Sequence, residues 1–427
     1  SYDGFGNADT QTDPLAQVHR YTYNVLGQTL SWQAPDGQTW RAEYDALGRL
    51  TKRADPLDHS TAYTYDALGR RLKTTDPTGA TTQFEYEPTG RLRAQTDALG
   101  QTTRYEYDGQ GRLAAVTDPA GNATRYTYDG QGRLAGVTDP AGNATRYQYG
   151  SAADGLEGLL AAISYPTYRL EYRYDARDRA VQSIRVVDAT TRLTTRIGYD
   201  GKGRAVSRTD PAGHAALTQY DGLGRAVQTT DALGGVTGYQ YDARDNLIAL
   251  TDASGQTHRF DYDAAGRKIK ETRPLGGAIQ YAYDVLGRVT DRTDPAGHAR
   301  HFTYDAAGRK TGETHLAAGQ TAPGQTLGYQ YDAADRLTGY TQTGDTASSA
   351  AYTLDALGRP VAETLTYGGG TGAFTQTLRH AYTADGRRQR LDYPDGTSAN
   401  YGYDQGRLQS AGLPGGGHDV TSESVIP

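Results

Sequence analysis

Residues 107–149 read YDGQGRLAAVTDPAGNATRYTYDGQGRLAGVTDPAGNATRYQY, one pattern written almost twice. The two copies lie 21 residues apart, and the spacing extends far beyond them. Tyr followed by Asp, or a near variant, stands at Tyr2, Tyr23, Tyr44, Tyr65, Tyr86, Tyr107, Tyr128 and Tyr149. The register breaks over 150–197, with units at Tyr174 and Tyr199, and resumes through Tyr220, Tyr241, Tyr262, Tyr283 and Tyr304. It then loosens through Tyr331, Leu354, Tyr382 and Tyr403. A fixed period of this length marks a tandem-repeat architecture, here of about 19 units. Residues 1–427 therefore read as one continuous repeat region with no separate catalytic domain. Irregular insertions fall near 150–163, 316–327 and 367–374.

Each unit carries two turn signals. The first is Tyr107-Asp108-x-x-Gly111-Arg112, and the second is Asp118-Pro119-x-Gly121; the copy repeats them as Tyr128, Asp129, Gly132, Arg133 and Asp139, Pro140, Gly142. The first signal recurs at Tyr44, Asp45, Gly48, Arg49 and at Tyr65, Asp66, Gly69, Arg70. Asp at the first corner accepts bonds from backbone amides further along, Pro at the second presets φ, and Gly at the fourth accepts positive φ. A type I turn followed by a left-handed Gly is a common hairpin loop. Between the turns Thr124, Tyr126 and Tyr128 alternate with Ala123, Arg125 and Thr127, the period of a half-buried strand. The expected fold is all-β: tandem hairpins forming a long curved ribbon.

The odd period adds a constraint. Successive side chains on a strand point to opposite faces, so Tyr126 and Tyr147 share a face only if the two turns differ in parity or a bulge intervenes. Nothing in the sequence alternates with a doubled period. One longer turn or one bulge per unit is therefore expected. At two strands per unit and roughly 4.8 Å per strand, the ribbon would run on the order of 180 Å. Sheets of that extent curl, and this one would wrap a cylinder of roughly 25 Å radius about once.

Composition agrees. Leu, Val, Ile and Phe together number 61, about 14 per cent, below the roughly 20 per cent that separates chains rich in core-formers from chains poor in them. Disordered chains of that kind carry high net charge and few aromatics, whereas here the net charge is -6 and there are 34 Tyr. Tyr carries the burial. A pI near 5.9 with interspersed Arg and Asp removes the footprint of a nucleic-acid binder. There is no Cys, hence no disulfide or thiolate chemistry. No run approaches the roughly 18 apolar residues of a membrane-spanning helix. A chain that starts at Ser1 inside a repeat unit, without Met, reads as a piece of a longer polypeptide.

The recurring Tyr-Asp-x-x-Gly-Arg, intact at Tyr44 to Arg49, Tyr65 to Arg70, Tyr220 to Arg225 and Tyr283 to Arg288, and the Thr-Asp-Pro-x-Gly at Thr75 to Gly79 and Thr293 to Gly297, closely resemble the Rhs or YD-repeat family. The match covers nearly the whole chain. The family includes bacterial polymorphic toxins, some delivered by type VI secretion, the shell components of Tc toxin complexes, and the animal teneurins. The resemblance implies a spiral, hollow β-cage, a C-terminal toxin domain as cargo, delivery machinery as partner, and a protein secreted or delivered from a bacterial cell. The teneurin branch implies an alternative, a carbohydrate or cell-surface interaction module. The self-cleaving Asp-Pro-x-Gly-Leu of bacterial members is not found in the closing GRLQSAGLPGGGHDVTSESVIP.

Chemistry beyond structure has little support in the residues. Active sites are singular, and here the Asp and Arg are repeated, so they read as turn and ladder positions. No catalysis, cofactor or metal is expected. His298 and His301 have a spacing a metal could use, but His298 and His214 follow Pro-Ala-Gly where Asn122 and Asn143 stand in other units. Gly201-Lys202-Gly203 aligns with Gly130-Gln131-Gly132 and lacks the spacing of a phosphate loop.

Overall fold

The computed structural model describes residues 1–151, 155–344, 347–368, 373–404, 407–412 and 420–421. Within them the chain forms 38 β-strands, from β1 (Thr10–Thr12) to β38 (Val420–Thr421), and no helix. Each strand pairs antiparallel with the next in sequence, so the sheet is one long meander.

The unit quoted first shows how the period is built. Strand β12 (Ala123–Tyr128) pairs with β13 (Leu134–Thr138), which pairs with β14 (Ala144–Tyr149). Both turns have the same geometry. Gly132 N–H donates to Asp129 O (3.0 Å) and Asp129 N–H to Arg133 O (2.9 Å); in the second turn Gly142 and Asp139 N–H donate to Asp139 O (2.9 Å) and Asn143 O (3.0 Å). The fourth residue is left-handed in each, φ 82° at Gly132 and 81° at Gly142, which only glycine adopts freely. Parity is corrected by a bulge. Thr127 faces Gly136 and Tyr128 faces Leu134, so Ala135 is left over. The same shift recurs beside Tyr44, Tyr65, Tyr107 and Tyr241. Without it the turn chemistry would throw alternate Tyr pairs onto opposite faces. With it, Tyr126 and Tyr128 are half-buried and Arg125 and Thr127 exposed, and the pattern repeats in β10 (Thr102–Tyr107) and β14.

The described residues form no central core. Among the described residues no large side chain is fully buried; the deepest apolar ones include Ala34, Ala94, Ala162, Ala249 and Ile279. Burial is spread along the ribbon, one thin layer of Tyr and small residues per unit.

The ribbon overlaps itself. Asp55 and His59, at the Asp-Pro turn that leads into β6 (Ser60–Tyr65), lie beside Asp335, in the Tyr-Asp turn after β30 (Gln325–Tyr331). Farther along, Arg407 Nη2 reaches Asp139 Oδ2 at 3.3 Å across 268 residues. In both places the Asp-Pro edge of an earlier coil meets the Tyr-Asp edge of a later one. Exposure tracks the overlap. Leu57 and Leu99, at the third position of Asp-Pro-edge turns under the second coil, are 39% and 40% exposed, whereas Leu233 and Leu275, at the same position beyond it, are 94% and 96% exposed. The 25 strands from β6 to β30 make one coil, a circumference of about 120 Å and a radius near 20 Å at 4.8 Å per strand. This corrects the expected single wrap of wider radius: a bulge in every unit sharpens twist and bend, and the chain completes about one and a half coils.

The insertions are smaller than the sequence suggests. Of 150–163, Leu160–Ser164 forms β15, with Tyr147 facing Ile163, so the apolar run is a regular wall strand. Strands β29 (Lys310–Leu316) and β30 shorten the second irregular stretch to 317–324. Residues 152–154 of the first insertion and 369–372 of the third lie outside the described residues.

Candidate functional site: the Asp-Arg-Tyr ladder

The repeated polar residues converge along the Tyr-Asp edge. Asp108 Oδ1 accepts from the backbone N–H of Gln110 and of Arg112, each at 2.9 Å, and Oδ2 accepts from Arg112 Nε at 2.7 Å. The Arg112 backbone N–H and its guanidinium hold the Asp108 carboxyl below the usual carboxylate range. At Asp175 the Arg179 guanidinium is the leading cause and the carboxyl falls to about 2. These carboxylates are saturated by turn and partner, as Asp45, Asp66 and Asp129 are with Arg49, Arg70 and Arg133.

From its own Asp each Arg then reaches the next unit. The Arg112 guanidinium sits 4.5 Å from the centre of the Tyr128 ring, Arg49 lies over Tyr65 at 5.0 Å and Arg70 over Tyr86 at 4.9 Å. Arg49 Nη1 donates to Asp66 O at 2.8 Å. The Tyr hydroxyl reaches back: Tyr128 to Leu113 O (2.9 Å), Tyr107 to Leu92 O (2.9 Å), Tyr65 to Leu50 O (2.7 Å) and Tyr44 to Thr29 O (3.1 Å). Burial pushes the Tyr107 phenol up, so it stays a neutral donor. Asp fixes the turn, Arg spans to the neighbour, and Tyr binds the neighbour to the unit before it.

The Asp-Pro edge lacks the Arg. Asp118 Oδ1 accepts from Asn122 N–H and Oδ2 from Asn122 Nδ2, both at 2.8 Å; Asp139 and Asn143 do the same, with Pro119 and Pro140 at the second corner and Gly121 at φ 87°. His298 fills the Asn place and pairs with Asp294 at 3.1 Å, while His301 pairs with Asp291 at 2.9 Å across the strand. The two are held by different carboxylates.

Where the pattern breaks, polar atoms are stranded. Beside Gly150, which stands where the next Asp belongs, Arg133 Nη1 is buried without a hydrogen-bond partner, its guanidinium lying 4.2 Å from the centre of the Tyr149 ring. His380, in β34 (Phe374–Tyr382), takes the place that Tyr126 has in β12, and both its ring nitrogens are buried and unpaired. Burial, aided by nearby Arg388, pushes its imidazole below the ordinary value. A base with a depressed folded pKa binds its proton better when unfolded, so stability is lost as pH falls below about 6.5. His380→Tyr is expected to gain about 1 kcal/mol and to lower the loss of denaturation midpoint between pH 7.5 and 5.5. Parallel losses in both proteins would remove His380 from the account.

Sequence reading missed two aromatic clusters: Trp32 stacked on Trp40 at 4.1 Å with His19 beyond, and Tyr165 on Tyr168 at 4.6 Å with Arg185 over Tyr168. The Trp pair was within reach, since Trp32 and Trp40 flank one turn and face each other in register. A groove of about 840 Å³ is lined by Glu85, Arg93, Arg104 and Glu106 of successive units.

Hairpins bonded unit to unit, with the polar residues spent on their neighbours, define a tandem-repeat shell protein whose working part is a wall. A family model described as RHS Repeat matches residues 23–60, 44–81, 86–123, 107–144 and 128–167, and one described as Teneurin YD-shell matches 154–355. The chain belongs to the Rhs/YD-repeat family and is a structural shell segment of it. The fold is similar to that in the crystal structure of TcdB2-TccC3, with a TM-score of 0.69 and 16% identity over 95% of this chain and 28% of that one. TcdB2-TccC3-TEV follows (TM-score 0.59, 15% identity, 97% of this chain and 24% of that one). TcdB2-TccC3 without its hypervariable C-terminal region gives 0.58 and 16% over the same shares. The chain thus spans about a quarter of the length of these proteins. No curated protein matches the sequence. Among the described residues no helix is long and apolar enough to cross a membrane.

Proposed function

We propose that this segment is part of a hollow shell that encloses a toxin domain, carried as cargo of the same longer polypeptide, until delivery from a bacterial cell. The observation that carries this reading is the overlap of coils. A ribbon that returns upon itself edge to edge, with Asp55 and His59 beside Asp335 and Arg407 on Asp139, makes a tube wall. The wall performs no catalysis in this reading, because its Asp and Arg are engaged in turns and ladder. The TcdB2-TccC3 structures, one defined by loss of a hypervariable C-terminal region, support the assignment by fold.

Protease protection tests it. In the protein encoded by the full reading frame, a non-repeat domain downstream of the repeats is expected to resist a protease that digests the same domain when expressed alone, and to become sensitive once denaturant opens the wall. Equal digestion rates would reject enclosure. The interaction-module alternative has one observation in its favour, the Trp32–Trp40 stack, a surface suited to sugar rings. Quenching of Trp fluorescence by oligosaccharides would favour it.

A further inference from the structure

Where the coils overlap, three metal-ligating side chains meet. One ligand atom each from Asp55, His59 and Asp335 lies within 4.8 Å of the others. Asp55 and His59 belong to one Asp-Pro turn, with His59 Nδ1 3.1 Å from Asp55 Oδ2; Asp335 belongs to a Tyr-Asp turn one coil later. The group opens on a cavity of about 480 Å³ that Arg53, Asp76 and Arg336 also line. We propose that Asp55, His59 and Asp335 form a site for a divalent transition-metal ion of the zinc class that clips one coil to the next.

The donor set suits such an ion. One imidazole and two carboxylates make a three-ligand site, with water completing the coordination. Asp335 is already oriented: its Oδ1 accepts from Arg309 Nη1 at 2.9 Å, which leaves the second oxygen for a metal and supplies the kind of outer partner that fixes a ligand. The third donor is what singles the place out. Asp210–His214 and Asp294–His298 are the same Asp–His pair at 3.1 Å, and among the described residues neither gains a third such donor from a later coil.

The repeat supplies variants that keep the fold. Asn122 and Asn143 occupy the place of His59 and bond the same Asp oxygens, so His59→Asn preserves the turn. Gly132 and Gly308 occupy the left-handed place of Asp335 (φ 64°), so Asp335→Gly relieves that strain, though it releases Arg309. The untagged chain should bind one equivalent of Co²⁺, read as a visible d–d spectrum and displaced by Zn²⁺, with a metal-dependent rise in Tm. His59→Asn and Asp335→Gly should each weaken binding at least about tenfold and abolish the rise, while His214→Asn and His298→Asn should change neither. Absence of binding by the native chain, binding unaltered in His59→Asn or Asp335→Gly, or an equal loss in His214→Asn would overturn the site.

Discussion

Deleting Ala135 alone is expected to cost more than about 4 kcal/mol and to unfold the strands around it, far beyond the usual effect of a single-residue change. Ala135 is the residue left over between the Thr127–Gly136 and Tyr128–Leu134 pairs. Its loss forces the strand pair into the register dictated by the turn at Asp129, which turns every side chain of one strand to the other face. Substitution at the same place should be mild, because Thr51, Leu72 and Arg93 are the corresponding residues beside Tyr44, Tyr65 and Tyr86. Removing a whole unit, Leu113 to Arg133, should likewise keep strand content per residue, at the expense of the overlap, since Asp335 would then face a neighbouring turn. Hydrogen exchange across β12 and β13 and far-ultraviolet circular dichroism separate these cases. Undiminished protection of Tyr126 to Tyr128 in the Ala135 deletion would refute the parity account.

Tyr128→Ala is expected to cost about 3 kcal/mol, toward the low end for removal of a large aromatic because the ring is half-buried. Tyr128→Phe should cost about 1 kcal/mol, the value of one hydrogen bond, to Leu113 O. The alanine variant removes the ring under Arg112 and the bond to the preceding unit together. Because stability in such arrays is a sum of units and nearest-neighbour terms, the loss should appear as fast exchange in β11 (Leu113–Thr117) to β13 with distant strands unchanged. Equal effects of Ala and Phe would show that the ring contributes nothing beyond its hydroxyl.

Much of this was legible from residues alone because the deciding interactions are short-ranged. Asp108 and Arg112 are four residues apart and Arg112 and Tyr128 sixteen, so a 21-residue sentence contains its own turn, its ladder and, through its odd length, its bulge. The fold family followed from the same residues. The overlap did not. Which turn of one coil meets which turn of the next depends on the bend added by each unit, summed over some thirteen units, and no local pattern encodes that sum. His59 stands at the same turn position as His214 and His298, and nothing local sets it apart from them. Within the stretch 150–163, the regular strand Leu160–Ser164 was hidden for the opposite reason. Its apolar run has no Asp-Arg signal, yet Ala162 faces Gln148 as Gly136 faces Thr127, an ordinary wall position in unfamiliar letters.

The strict pairing of each strand with the next has a consequence for how such a wall is made. Every hairpin finds its partner as soon as the following one is synthesised, so the structure can be laid down from one end like wire onto a spool, with little of the delay that distant strand pairings impose. The long-range bond from Arg407 to Asp139 must wait until 268 further residues exist. A wall wound in this way takes its curvature unit by unit and gains its seam last, once a full coil exists and its edges can meet.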